Sequence, residues 1–192
     1  MKRMLIALLI LALAAPALAE IDTAALESLP GTSVFLDGVN TVVRPDDQPF
    51  FGEADDGSVC AFLDFIELED RNVVALRFSL SLESDEEAAA DTLTLTVGKQ
   101  SWSFGVHAAV SEYDMVYQED YAVCLSDEGL ALARALAKNK SGRVAFTLEG
   151  WRTVSGSVAI PASAASQIWS QYKKLGGDKQ DLTSLRELWP LR

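Results

Sequence analysis

Two long segments of alternating hydrophobicity, Val59 to Glu69 and Val73 to Glu83, constrain this chain more than any other feature. They keep a period of two throughout and are joined only by Asp70-Arg71-Asn72, which predicts neighbouring antiparallel strands with one face in a core. Val74, Leu76, Phe78, Leu80 and Leu82 form one row, and Phe62, Asp64, Ile66 and Leu68 are read as its counterpart. Asp64 interrupts that row. A lone charge on a core face is unfavourable, so Asp64 needs a partner, and Arg77 is positioned to be one, as a structural ion pair or as part of a site; structure is the simpler account.

Further strands are predicted on both sides. Ser33 to Leu36 and Val39 to Arg44 flank Asp37-Gly38, a dipeptide that tolerates the positive φ of a tight hairpin. Thr92 to Val97 and Ser101 to Val106 flank Gly98-Lys99-Gln100. Tyr121 to Leu125, Arg143 to Glu149 and Val154 to Ile160 complete the set, with Val144, Phe146 and Leu148 on one face. Helices are expected at Asp22 to Ser28, after Ser126 up to Ser141-Gly142, from Pro161 to Leu175, and in the tail from Asp181 to Trp189. Ser126 has the side chain of an N-cap, and Asp127 and Glu128 suit the positive end of the helix dipole. Ser84 and Glu87 have capping-box spacing, which predicts a short helical turn up to Asp91. The fold class expected is α+β: a mainly antiparallel β-sandwich with a crossover helix and one or two C-terminal helices.

Lys2-Arg3, the apolar run Met4 to Ala14 and the small-x-small triplet Ala17-Leu18-Ala19 form a secretory signal peptide, residues 1–19, followed by one domain over 20–192. The expected location is the periplasm or the exterior. The whole chain carries 28 Asp and Glu against 16 Lys and Arg, a net charge of −12. Such a surface repels nucleic acid and anionic membranes and would attract a basic protein partner. The charge is unevenly spread, because the bases gather from Arg134 onward while the acids crowd the earlier part. In an oxidising compartment, the even count of Cys60 and Cys124 predicts a disulfide between them. A redox pair is disfavoured, since there is no C-x-x-C.

Pro45 to Gly57 is the most unusual stretch. It sets Phe50 and Phe51 among Asp46, Asp47, Glu53, Asp55 and Asp56, with Pro49 and Gly52 breaking regular structure, and is expected to be a loop. Its rings either plug the open end of the core or anchor a partner within an acidic rim formed by Asp46, Asp47, Asp55 and Asp56. The carboxylates lack EF-hand spacing, and His107, the only histidine, has no second histidine for a zinc site and no motif linking it to a serine. No metal or cofactor is assigned. Asn139-Lys140-Ser141 matches a glycosylation acceptor only at the level of three residues. The sequence therefore points to an exported, non-catalytic binding or accessory protein. A carboxylate-dependent hydrolase of the cell envelope or a calcium-dependent module are the alternatives.

Overall fold

A computed structural model of the chain describes residues 23–68, 73–182 and 185. The signal-peptide segment, the Asp70-Arg71-Asn72 turn and most of the predicted tail helix lie outside the described residues. After a short helix α1 (Thr23–Glu27), the chain forms strands β1 (Thr32–Asp37), β2 (Asn40–Pro45), β3 (Phe50–Ala54), β4 (Gly57–Leu68), β5 (Val73–Ser84), β6 (Thr92–Val97), β7 (Gln100–Gly105), β8 (Ala109–Tyr113) and β9 (Val116–Leu125). Helix α2 (Asp127–Lys138), strands β10 (Arg143–Glu149) and β11 (Thr153–Ala159), helix α3 (Ala162–Lys174) and a 3-10 turn (Gly177–Lys179) follow.

The α+β class holds, but the strands form one curled 11-stranded sheet in the manner of a half-barrel, not two facing sheets. The main path is β7-β6-β10-β11-β3-β4-β5-β9-β8, and β2 branches from β4 with β1 outside it. All pairings are antiparallel. Curling follows from the packing, because α2 touches β9 near one end of the path and β6 and β7 at the other. Together α2 and α3 fill the concave side, with Leu132, Ala133, Leu136, Ala165, Ile168 and Tyr172 buried. Two sheets would have needed no helical filling; one curled sheet does.

The register of β4 and β5 puts Val59, Ala61, Leu63 and Phe65 opposite Leu82, Leu80, Phe78 and Leu76. That is the core face, so the expected parity holds for β5 and fails for β4. Phe62, Asp64 and Ile66 stand on the convex side. The error is physical: β4 carries apolar side chains on both faces, and from Leu63 to Ile66 both parities are buried, so alternation loses its meaning.

Ser126 occupies the N-cap position of α2 but makes no side-chain capping bond. After Ser84 ends β5, Asp85 to Asp91 is irregular, not helical. Its expected capping box is replaced by long-range ties. Buried Glu119 accepts hydrogen bonds from the amides of Ala88 (2.6 Å) and Ala89 (2.8 Å) and from the Tyr121 hydroxyl (2.5 Å). Arg152 donates to the Glu86 and Glu87 carbonyls and to Ser84 Oγ, and pairs with Asp56.

The expected disulfide is absent: Cys60 and Cys124 are both free thiols. Cys60 lies in register with Ser81 and, beyond it, Asp120, whereas Cys124 is four residues further along β9. Two strand spacings, about 10 Å, and four residues, about 13 Å, leave the Cα atoms roughly 16 Å apart. A disulfide tolerates no more than about 7 Å.

Candidate functional site

Helices α2 and α3 pack on one face of the sheet, and the opposite, outer face runs along β1-β2-β4-β5-β9-β8. That outer face carries a cleft of about 770 Å³. Its floor comes from Arg44 on β2, Phe62 on β4, Arg77, Ser79 and Ser81 on β5, and Asp120 and Ala122 on β9. The β1–β2 hairpin raises one wall with Phe35 and Asp37; His107, Ala108 and Ala109 raise the other. Register explains why these side chains share a face: Phe62 is opposite Ser79, which is opposite Ala122, and Ser81 is opposite Asp120, which is opposite Ala109.

The charged centre of the floor is the Asp64–Arg77 pair, directly opposed across β4 and β5. Asp64 is fully buried. Its oxygens accept from Arg77 Nε at 2.9 Å and Nη2 at 3.1 Å, and from Arg44 Nε at 3.0 Å and Nη2 at 2.9 Å. Arg77 also pairs with Asp37 at the end of β1. Burial alone would lower the Arg77 pKa, but the hydrogen bonds and charge of Asp64, then Asp37, outweigh it and raise it. Two cations and two carboxylates thus close on themselves. The Arg44 guanidinium is held between two rings, 3.8 Å from the Phe62 centroid and 4.8 Å from that of Phe35.

Phe50 and Phe51 separate. The expected loop contains strand β3, in which Phe50 faces Ala61 and is buried, while Phe51 faces Cys60 on the outer face and is 70% exposed. A glutamine makes this possible. The β2–β4 ladder ends at Val43↔Phe65 and the β3–β4 ladder starts at Phe50↔Ala61, and in the gap Gln48 Nε2 donates to the Leu63 carbonyl (2.7 Å) while the Leu63 amide donates to Gln48 Oε1 (2.8 Å). Gln180 does the same at Val74, donating to its carbonyl at 2.7 Å and accepting from its amide at 3.1 Å. The acids are dispersed. Asp46 accepts from Ser33 Oγ (2.7 Å), Asp55 from the Ser155 amide (3.2 Å) and Asp56 pairs with Arg152, while Asp47 stands exposed near the start of β3.

The sequence predicts no strand between Val106 and Tyr121, and the β8–β9 hairpin fills that interval. Its tip holds Asp114 and Met115 at φ of 50° and 65°, with Tyr113 and Met115 each 81% exposed. A left-handed methionine is strained backbone at a projecting tip. The alternation Val110, Glu112, Asp114 against Ser111, Tyr113, Met115 is a faint signal that the high charge masks.

Ser81, His107 and Asp120 all line the cleft, yet no hydrogen bond joins His107 to a serine or a carboxylate among the described residues. A nucleophile and its base need such contact. The carboxylates of Asp37 and Asp64 are bridged by Arg77. Among the described residues no group of three or more His, Cys, Asp or Glu side chains could hold a metal ion. Burial pushes the Cys124 thiol up to about 12, and burial followed by the charge of Asp120 raises that of Cys60, so neither is an activated nucleophile. Among the described residues, no helix is long and apolar enough to cross a membrane. No protein-family model matches the chain, and neither a curated protein nor a solved structure does.

Proposed function

We propose that this is an exported, non-catalytic binding protein that engages a basic protein partner through the outer face of its sheet. One observation carries this reading: a wide cleft bordered on the same face by exposed aromatic side chains. Phe35 stands on one wall, Phe51 is 70% exposed beside the floor, and Tyr113 shares the parity of Ala109 at the far hairpin. Rigid aromatic rings are the side chains that most often anchor protein interfaces. Export is supported by the charged start, apolar run and Ala17-Leu18-Ala19 of the first nineteen residues.

Electrostatics favour a basic partner. Arg44 and Arg77 are spent on Asp64 and Asp37, while Asp120, Glu112, Asp114 and Asp47 carry no paired cation among the described residues. A photo-crosslinking side chain at Phe51 or Tyr113, in protein expressed in its own cell, should yield an adduct with a basic protein. The same group at Trp151, which is 81% exposed at the β10–β11 turn, should not. Association with the captured partner should slow as ionic strength rises from about 0.01 to 0.15 M, where the screening length falls from roughly 30 to 8 Å. Equal adduct yield from Trp151, or a rate indifferent to salt, refutes the proposal.

A further inference from the structure

We infer that β1 is a docking edge, to which the partner adds an extended segment alternating apolar and basic residues. The inference rests on the proposed binding function and names what the partner contributes. Among the described residues β1 pairs only with β2, and none of them pairs with its other edge. Open edges are ordinarily guarded by lysine, proline or a bulge, and Thr32–Asp37 (TSVFLD) has none of these. The hairpin turns over two residues, Gly38 at φ 62° and Val39, between the paired Asp37 and Asn40. In such a hairpin the flanking pair exchanges both hydrogen bonds, which leaves the N–H and C=O groups of Thr32, Val34 and Leu36 pointing away from β2.

The side chains specify the occupant. On the cleft face, Phe35, one side of whose ring takes Arg44, sits between Asp37, paired with Arg77 yet 55% exposed, at one end of β1 and, at the other, Ser33 bonded to exposed Asp46 with Asp47 next in sequence. On the opposite face, Val34 and Leu36 are 47% and 74% exposed. An added strand therefore meets carboxylates and a phenyl ring on one face and aliphatic side chains on the other. Lysine or arginine at alternate positions satisfies the first, through charge and cation–π contact, and valine, isoleucine or leucine between them satisfies the second. A second copy of this chain fits poorly. Antiparallel pairing of two β1 strands about Phe35 would set each Asp37 against the other copy's Ser33–Asp46 end, carboxylate against carboxylate.

The test uses the full mature protein and three fluorescent octapeptides read by anisotropy: alternating valine and lysine, alternating valine and glutamate, and the valine-lysine peptide N-methylated at every second residue. The valine-lysine peptide should bind, the glutamate peptide should not, and N-methylation should weaken binding by at least about tenfold because it removes ladder hydrogen bonds. Val34→Lys with Leu36→Lys, both at exposed sites, should abolish binding while the far-ultraviolet spectrum stays unchanged. Equal binding of the N-methylated peptide, equal binding of the glutamate peptide, or no binding of the valine-lysine peptide each overturns strand addition. If strand addition fails while crosslinking at Phe51 and Tyr113 still captures a basic partner, the broader binding function survives without it. If both fail, so does the function.

Discussion

Truncating Asp64 tests how the floor of the cleft is held together. Its carboxylate is fully buried and accepts four N–H bonds, two from Arg77 and two from Arg44. Asp64→Ala leaves Arg77, itself buried, with only Asp37 as a charged partner among the described residues. An exposed ion pair contributes about 0.2–1 kcal/mol, but removing one side of a buried pair costs about 3–5 kcal/mol, because the remaining charge keeps its desolvation penalty. For a chain of this length each kcal/mol shifts Tm by about 2–4 °C, so a fall of roughly 6–20 °C is expected. Urea unfolding followed by tryptophan fluorescence measures the free energy directly, and the m-value should not change. Asp64→Leu combined with Arg77→Met removes both charges, and should return stability to within about 2 kcal/mol of the parent. Arg44 is partly exposed and reaches water once freed. A single Asp64→Ala loss below about 1 kcal/mol, or a double variant no better than the single, would refute the claim that a buried charge pair organises this face.

Gln48→Ala and Gln180→Ala should each cost about 1–3 kcal/mol, since each strands the amide and carbonyl of one strand residue; a loss of only a few tenths in chemical denaturation would show that water replaces the glutamine. Gly156→Ala should be strongly destabilising, because a Cβ there would meet the Glu53 carbonyl and come within 2.6 Å of the Phe146 ring, and a normal melting temperature would contradict the close β3–β11 approach. Thiol titration should find two thiols in denaturant and, at pH 8, none at Cys124 in the native protein; a count of zero in denaturant would restore the disulfide. Burial raises the Cys124 pKa from about 9 to about 12, so the neutral thiol is the form that folding favours. Its contribution is complete below pH 9 and is lost as pH rises towards 12, which Cys124→Ala should flatten in a stability–pH profile.

Local patterning alone determined most elements here. Val144, Phe146 and Leu148 predict the buried face of β10, the row Val74 to Leu82 predicts that of β5, and Ser141-Gly142, with Gly142 at φ 63°, lies in the turn between α2 and β10. These features depend on residues close in sequence, which is why they were legible. The Asp64–Arg77 pair was legible too, because a buried charge demands a partner and the hairpin supplied one directly opposite. What failed depended on residues far apart. Phe50 and Phe51 look equivalent until β3 pairs with β4, and a one-residue step then sends one ring into the core and the other to the outer face. Glu119 looks like one more surface acid, yet it anchors the 85–91 segment through amides about thirty residues away. Parity of cysteines suggested a bond that the register forbids. The cleft itself is wholly tertiary: its lining comes from six strands and a loop, Phe35 to Ala122, and only the order in which those strands pair brings them onto one face.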